Sequence, residues 1–366
     1  MRIAQISPLC ESIPPRRYGG TERVVHYLTE ELVRRGHGVV LFASGDSRTS
    51  AELYPCVPKA LRLAGYSGDP AVPELIQLDQ LMDQLDRFDV LHFHTGPCHY
   101  PLAQRLPVPH LNTLHGPLTS PDRIQLFRRF DRLPLVSISE AQRQPLPDAH
   151  WLATVHHGLP LDLYQPVATP QEYLAFVGRI SPEKRLDRAI AIASQLGLPL
   201  KVAAKIDSSD APYYRDHIAD LIEANPLVEF IGEVDDAGKQ ALLGNALALL
   251  FPIDWAEPFG LVMIEANACG TPVIAWRNGS TPEVIRPGVN GVLVDTIQEA
   301  VAAVRGLEHL DRLAVRRDFE TRFSVTHQAR QYERLYQHLA ETHAAPGTQR
   351  PLHRPCPPRD PLLHAA

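Results

Sequence analysis

The tightest constraint on this chain lies between Pro252 and Ala275, PIDWAEPFGLVMIEANACGTPVIA. An apolar run, ALALLF at 246–251, precedes it, and a second, PVIA at 272–275, closes it. Runs of that length and character read as buried strands. Between them LVMIEANA at 261–268 reads as a helix, which Gly270 and Pro272 stop. Strand, loop, helix and strand in this order put the loop at the carboxyl end of a strand, where open α/β sheets bind ligands. Pro258 suits a first helical residue, which would leave the N–H groups of Phe259, Gly260 and Leu261 facing the loop as an anion site. Two glutamates, Glu257 and Glu265, flank that site. From the helix start to Glu265 is about two turns, roughly 10 Å. A nucleotide sugar fits such a frame, with Glu257 accepting from sugar hydroxyls, the amides holding phosphate and Glu265 gripping a ribose diol. A capped helix with two unrelated acids fits the spacing equally well. The rest of the chain must decide.

At 366 residues there is room for two domains. Residues 2–7 read as a strand, followed by a Pro-rich loop from Pro8 to Tyr18-Gly19-Gly20. The segment 21–35 carries Val24, Val25, Leu28, Leu32 and Val33 at helical spacing, Gly36 closes it, and 39–43 is the next strand. Gly19-Gly20 admits two readings, a flexible turn or close backbone approach to a ligand. A helix at 73–85 leads into a strand at 89–93. His92 and His94 share one face of that strand, but without a third ligand they read as a polar strand end rather than a metal site. His115 follows a short strand and precedes Gly116-Pro117; it either points into a cleft or bonds nearby backbone. The basic, partly amphipathic 123–132 reads as a core helix with a solvated face, with weak contact to an acidic membrane surface as the alternative.

The character changes around 151–170, and the α/β pattern restarts at Tyr173. Helices at 183–196, 212–224 and 236–243 alternate with strands at 199–204 and 228–231, then comes the opening stretch and a strand at 291–294. The segment 324–341 is a last helix. The tail 344–366 holds six prolines and no periodicity, which reads as disorder. The expected fold class is α/β, two doubly wound Rossmann-like domains facing a cleft. Its expected divisions are 1–160, 161–320, a C-terminal helix at 321–343 and the tail.

A second charged element bears on the glutamates. Gly178-Arg179-Ile180-Ser181-Pro182-Glu183-Lys184-Arg185 follows a strand and opens a helix, with Ser181 as N-cap and Pro182 at the first position. Lys184 and Arg185 in a first turn oppose the helix dipole by about 0.3–1 kcal/mol each, and a bound anion would offset this. Arg179 can donate a planar fork to phosphate oxygens. A diphosphate on Arg179 and Lys184 is the sharper reading; an exposed basic turn is the plainer one. Composition excludes other classes. A net charge of −6 argues against nucleic acid as the main partner. Five cysteines without a CxxC pair suggest neither a zinc site nor a disulfide framework. No run approaches the roughly 18 apolar residues of a membrane span, and residues 1–6 are too short and mixed for a signal peptide. The expected location is cytoplasmic.

Taken together, the chain resembles the family 4 glycosyltransferases (glycosyltransferase group 1), retaining enzymes of the two-Rossmann-domain GT-B fold. The likeness rests on Gly19-Gly20-Thr21-Glu22-Arg23, Thr113-Leu114-His115-Gly116, Gly178 to Lys184, and Glu257-Pro258-Phe259-Gly260 through Glu265, and covers about residues 1–340. It implies transfer of a hexose, glucose by preference, from a nucleoside diphosphate sugar, UDP-linked by preference, to a small-molecule, glycan or lipid acceptor. Arg179 and Lys184 would bind the diphosphate, Glu257 and the amides of Phe259, Gly260 and Leu261 the sugar and phosphate, and Glu265 the ribose. His115 would contact the sugar, Gly19 and Gly20 would admit phosphates and acceptor, and the last helix would cross back to the N-terminal domain. No DxD pair suits a metal clamp, so no cofactor or metal is expected. An epimerase or phosphorylase of the same fold is the alternative enzyme, and a non-catalytic sugar-nucleotide-binding protein the alternative class. Two departures stand out: Arg185 where the family often has Gly, and His157-Gly158 where it often has Asn-Gly.

Overall fold

The computed structural model describes residues 1–16, 19–103 and 105–344. Tyr18 and the expected tail beyond residue 344 lie outside them. The N-terminal sheet comprises β1 (Arg2–Ile6), β2 (Gly38–Ser44), β3 (Glu52–Val57), β4 (Val90–Phe93), β5 (His110–Thr113), β6 (Leu135–Ser137) and β7 (Trp151–Thr154). Its order is β3-β2-β1-β4-β5-β6-β7, with every pair parallel. The second sheet holds β8 (Leu174–Arg179), β9 (Leu200–Lys205), β10 (Val228–Phe230), β11 (Ala248–Phe251), β12 (Val273–Trp276) and β13 (Gly291–Val294). It runs β10-β9-β8-β11-β12-β13, again parallel throughout. Parallel strands need crossovers, and helices on both faces bury them completely. That is why Leu41, Phe42, Leu249, Val273 and Ile274 are shielded and the strands read as unbroken apolar runs.

Strand order reverses between β1 and β4 in one sheet and between β8 and β11 in the other. At such a switch point neighbouring connections leave to opposite faces and open a crevice at the strands' carboxyl ends. The loops after β1, β4 and β11 therefore carry Gly19-Gly20, His94 and Glu257, while β8 ends on Arg179 and the loop behind it carries Lys184.

Among the elements that lie outside the expectation, three shape the two halves. β3 is an edge strand, and an edge accepts Pro55 because one side needs no N–H donor; that proline hid it. The helix Ile297–Arg305 buries Ala300, Val301 and Val304. The helix Arg312–Arg322 is masked by its arginines, yet Val315 and Phe319 are buried and Arg316 donates to the carbonyls of Leu161, Tyr164 and Ala268.

The last helix, Val325–Ala344, packs on the N-terminal half: Ala329, Tyr332 and Tyr336 are buried with Ile3, Leu28, Val90 and Leu111. Where the chain returns, the Leu159 N–H donates to the Phe323 carbonyl (2.9 Å) and the Val325 N–H to the Leu159 carbonyl (2.8 Å). A Cβ at Gly158 would sit 2.5 Å from the Ser324 carbonyl oxygen, so only glycine fits. In the basic helix Pro121–Arg129, Phe127 is buried, and Ile124 packs on the N-terminal core beside it. Its apolar face is occupied by the core. Among the described residues no helix is long and apolar enough to cross a membrane.

Candidate active site in the interdomain cleft

A cavity of about 500 Å³ lies between the two sheets, and every residue expected to meet the donor lines it: Gly19, Gly20, His115, Arg179, Lys184, Glu257, Phe259, Gly260, Leu261 and Glu265. The C-terminal wall is a charge mosaic. The Lys184 ammonium donates to Glu257 Oε2, which also accepts from the Trp255 indole N–H at 3.0 Å. The same ammonium lies over the rings of Phe251 (5.5 Å) and Trp255 (5.3 Å). Arg179 pairs with Glu183 (2.5 Å) and Asp210 (3.2 Å). The Asp254 N–H donates to the Glu183 carbonyl (2.8 Å), tying the loops after β8 and β11 together. Gly279, in the left-handed region at φ 56°, packs against the Glu257 backbone so closely that a Cβ would collide with it, and the Ser280 N–H donates to the Glu257 carbonyl at 3.0 Å.

Two local expectations are corrected. Residues 182–184 form a 3-10 turn, and the helix proper is Leu186–Leu196, with Arg185 at φ 54° between them. Lys184 and Arg185 therefore do not sit in an α-helical first turn, and the dipole argument for a bound anion does not apply. The left-handed backbone at 185 also explains why glycine is common there in the family, since glycine adopts it without strain. Arg185 is held there by Asp187 (2.8 Å) and Asp254 (2.7 Å). The second correction concerns Pro258, which is not the first helical residue. The helix is Leu261–Ala268, and its N-cap, Gly260, has φ 77°. The N–H groups that helix geometry leaves without intrahelical partners thus begin at Leu261. Phe259 is buried, and its ring meets His157 edge-on (4.9 Å between centroids) and packs on Phe323 (6.1 Å).

The N-terminal wall holds a histidine network. His92 and His94 share a face at the end of β4 and are both buried, and among the described residues no cluster of three or more potential metal ligands exists. Their partners lie within the fold. His92 bonds the Tyr336 hydroxyl (2.7 Å) and Thr113 Oγ1 (2.7 Å). Gln5 donates to Tyr336 (3.2 Å) and presents Oε1 to His94 Nε2 (2.7 Å). His94 must then carry its proton on Nε2, which leaves Nδ1 to accept from His115 Nε2 at 2.9 Å. Among the described residues, His115 Nδ1 has no hydrogen-bond partner. Burial pushes the His115 imidazole down to about 4 and His94 and His157 well below their usual value. His115 is a neutral hydrogen-bonding group near pH 7, its tautomer set through His94 and Gln5 by the C-terminal helix.

Sequence reasoning missed the residues that close the cleft. Lys239 donates to Glu265 Oε1 (2.5 Å) and approaches Asp236 Oδ1 (3.2 Å). Asp236 Oδ2 accepts from Arg23 of the N-terminal half at 2.6 Å. On another side Glu283 accepts from the N–H groups of Glu140 and Ala141 (2.8 Å each) and meets His156 (3.0 Å). Burial raises the Glu283 carboxyl, but the bonds from His156 and the two amides outweigh it and hold it low. The Asp-Asp-x-x-Lys spacing at 235–239 is common on exposed helices, so nothing local marked it.

Two switch-point crevices facing each other across a cleft lined with cations, carboxylates and amides are the architecture of the GT-B fold. Residues 165–322 match the family described as glycosyl transferases group 1, and residues 18–192 match glycosyltransferase family 4. The chain belongs to the family 4, group 1 glycosyltransferases. It is 28% identical over 334 residues to the D-inositol 3-phosphate glycosyltransferase of Mycolicibacterium smegmatis, covering 76% of this chain and 75% of that one. The crystal structure of AviGT4, a glycosyltransferase involved in avilamycin A biosynthesis, superposes with a TM-score of 0.71 at 25% identity, covering 93% and 98% of the two chains. Anabaena Alr3699/HepE, solved in complex with UDP-glucose, shares the fold at 18% identity, with a TM-score of 0.70 and coverage of 92% and 100%.

Proposed function

We propose that this protein transfers glucose from UDP-glucose to a hydroxyl-bearing small acceptor with retention of anomeric configuration. The observation that carries this reading is the convergence of Arg179, Lys184, Glu257 and Glu265 on one cavity. Each arrives in an ion pair that a ligand can replace. A diphosphate takes over Arg179 and Lys184, which together with the Leu261 N–H stabilise charge on the departing group. Glu257, relieved of Lys184, accepts from sugar hydroxyls, and Glu265 binds the ribose. With Lys184 on the diphosphate, Glu257 Oε2 keeps the Trp255 indole N–H at 3.0 Å, and both carboxylates are assigned to hydroxyl binding, so the two-carboxylate glycosidase scheme does not transfer. The reaction then proceeds on the front face, with a leaving phosphate oxygen taking the acceptor proton. His115 offers a neutral nitrogen to the sugar. The acceptor lies against Glu11, Glu22 and Arg62, which line the same cavity. No metal is required in this scheme, because the two cations serve the diphosphate.

A panel of nucleotide sugars incubated without acceptor tests the donor, since slow hydrolysis needs no knowledge of the acceptor. UDP-glucose should be turned over fastest, and EDTA should leave the rate unchanged. Consumption of none of the panel, or isomerised sugar as the main product, overturns the proposal. With an α-linked donor and an acceptor in hand, a β-linked product by NMR overturns retention.

A further inference from the structure

The resemblance to the family leaves Arg23 and Lys239 without a role, yet both are buried in the cleft and both are paired. Side-chain exposure is 6% for Glu265, 10% for Lys239, 36% for Asp236 and 10% for Arg23. Charges alternate along this line, negative, positive, negative, positive, from the innermost carboxylate to the N-terminal half. The links are 2.5 Å (Glu265 to Lys239), 3.2 Å (Lys239 to Asp236) and 2.6 Å (Asp236 to Arg23). The Tyr164 hydroxyl adds a third donor to Asp236 at 3.0 Å, and Arg23 also donates to the Tyr27 hydroxyl at 3.3 Å. Buried ions persist only when paired and hydrogen-bonded, and removing one partner is costly because the other charge stays behind. A four-member line that spans two domains is therefore more than a surface coincidence.

Its geometry has a chemical consequence at Glu265. A carboxylate can accept on both oxygens. Lys239 holds Oε1, while Oε2 has no hydrogen bond among the described residues and Glu265 lines the cavity. Anchoring one oxygen restricts rotation of the carboxylate and favours one direction for the other oxygen. On the reading of Glu265 as the ribose anchor, we propose that Lys239 is its positioning residue, that Asp236 positions Lys239, and that Arg23 links the ribose site to the N-terminal domain. Donor binding and closure of the cleft are then coupled through one chain of charges. A pair of groups acting through a shared partner should be non-additive on mutation.

The test measures binding of UDP and of 2′,3′-dideoxy-UDP to the full chain by calorimetry. The wild type should prefer UDP by roughly tenfold or more, the scale of a hydrogen bond to a charged group. Lys239→Met should bring the preference to within about threefold, because an untethered Glu265 no longer presents a fixed oxygen. Lys239→Arg, which keeps charge and donor, should restore part of it. Asp236→Asn should weaken the preference in the same direction, and combined with Lys239→Met it should add little. Asp236→Asn and Arg23→Leu also carry the test if Lys239→Met does not fold; Arg23→Leu should lower kcat for transfer more than UDP affinity. Equal loss of affinity for both nucleotides in Lys239→Met overturns the positioning role, as does full additivity in the double variant. A wild type that binds both nucleotides alike overturns the ribose reading of Glu265 itself, a distinguishable failure.

Discussion

Replacing Lys184 by alanine separates what the cation does for the fold from what it does for the reaction. In the unliganded cleft its ammonium is the charged partner of Glu257, with the two side chains 19% and 11% exposed. A hydrogen bond to a charged group is worth roughly 1.5–3 kcal/mol, and among the described residues the loss leaves the Glu257 carboxylate with the Trp255 indole. Lys184→Ala should therefore cost about 2 kcal/mol, or roughly 4–8 °C in Tm for domains of this size. Adding Glu257→Gln removes the stranded charge and should recover about half of that loss. Activity should not follow stability. Removing one group that stabilises developing charge costs ~10²–10³ in kcat, and a glutamine at 257 cannot replace a cation on the diphosphate. Circular-dichroism melts of the single and double variants, beside initial rates of UDP-glucose turnover, read both effects. A folded Lys184→Ala enzyme at wild-type rate would refute the diphosphate role. Recovery of activity in the double variant would show that Lys184 matters only by neutralising Glu257.

Three further outcomes are expected. At the left-handed position 185, Arg185→Gly and Arg185→Ala lose the same ion pairs, so the glycine variant should be the more stable by about 1 kcal/mol; equal Tm values would contradict the backbone argument. Gly158→Ala must push its Cβ against the Ser324 carbonyl and should cost roughly 1–3 kcal/mol, read as a lowered urea midpoint. Burial depresses His92, His94 and His157 strongly and takes His99 and His115 to about 4. With folded values below the unfolded ~6.5, the unfolded chain takes up protons first. Stability is then full above about pH 6.5 and falls toward pH 4 by up to about 1.4 kcal/mol per unit for each histidine. A Tm unchanged between pH 7 and pH 5 would contradict this, and His94→Asn should make the acid slope shallower.

Much of this was open to local reading. Apolar runs marked β2, β8, β11 and β12 because strands covered on both faces leave no polar alternation. Arg179, Lys184, Glu257 and Glu265 stood out because each sits beside a strand end or helix start whose loop chemistry is encoded within a few residues. Where the encoding was ambiguous the reading slipped. Pro258 and Pro182 both looked like first helical residues, yet the left-handed residues Gly260 and Arg185 set the true starts at 261 and 186. Pro55 concealed an edge strand, and the arginines of 312–322 concealed a helix whose charges are spent on buried carbonyls.

By itself, then, the sequence determined the α/β class, the loops that carry chemistry and the carboxylates and cations within them, because periodicity and turn residues act over a few positions. Only the tertiary structure decided which of these groups meet. Glu265 and Lys239 are 26 residues apart, Arg23 and Asp236 are 213 apart, and Gln5 and Tyr336 are 331 apart. No local signal relates such pairs. They are brought together by the strand order of two sheets and by a last helix that returns to the first, and packing decides that Lys184 rests on Glu257 and that burial lowers the His115 imidazole.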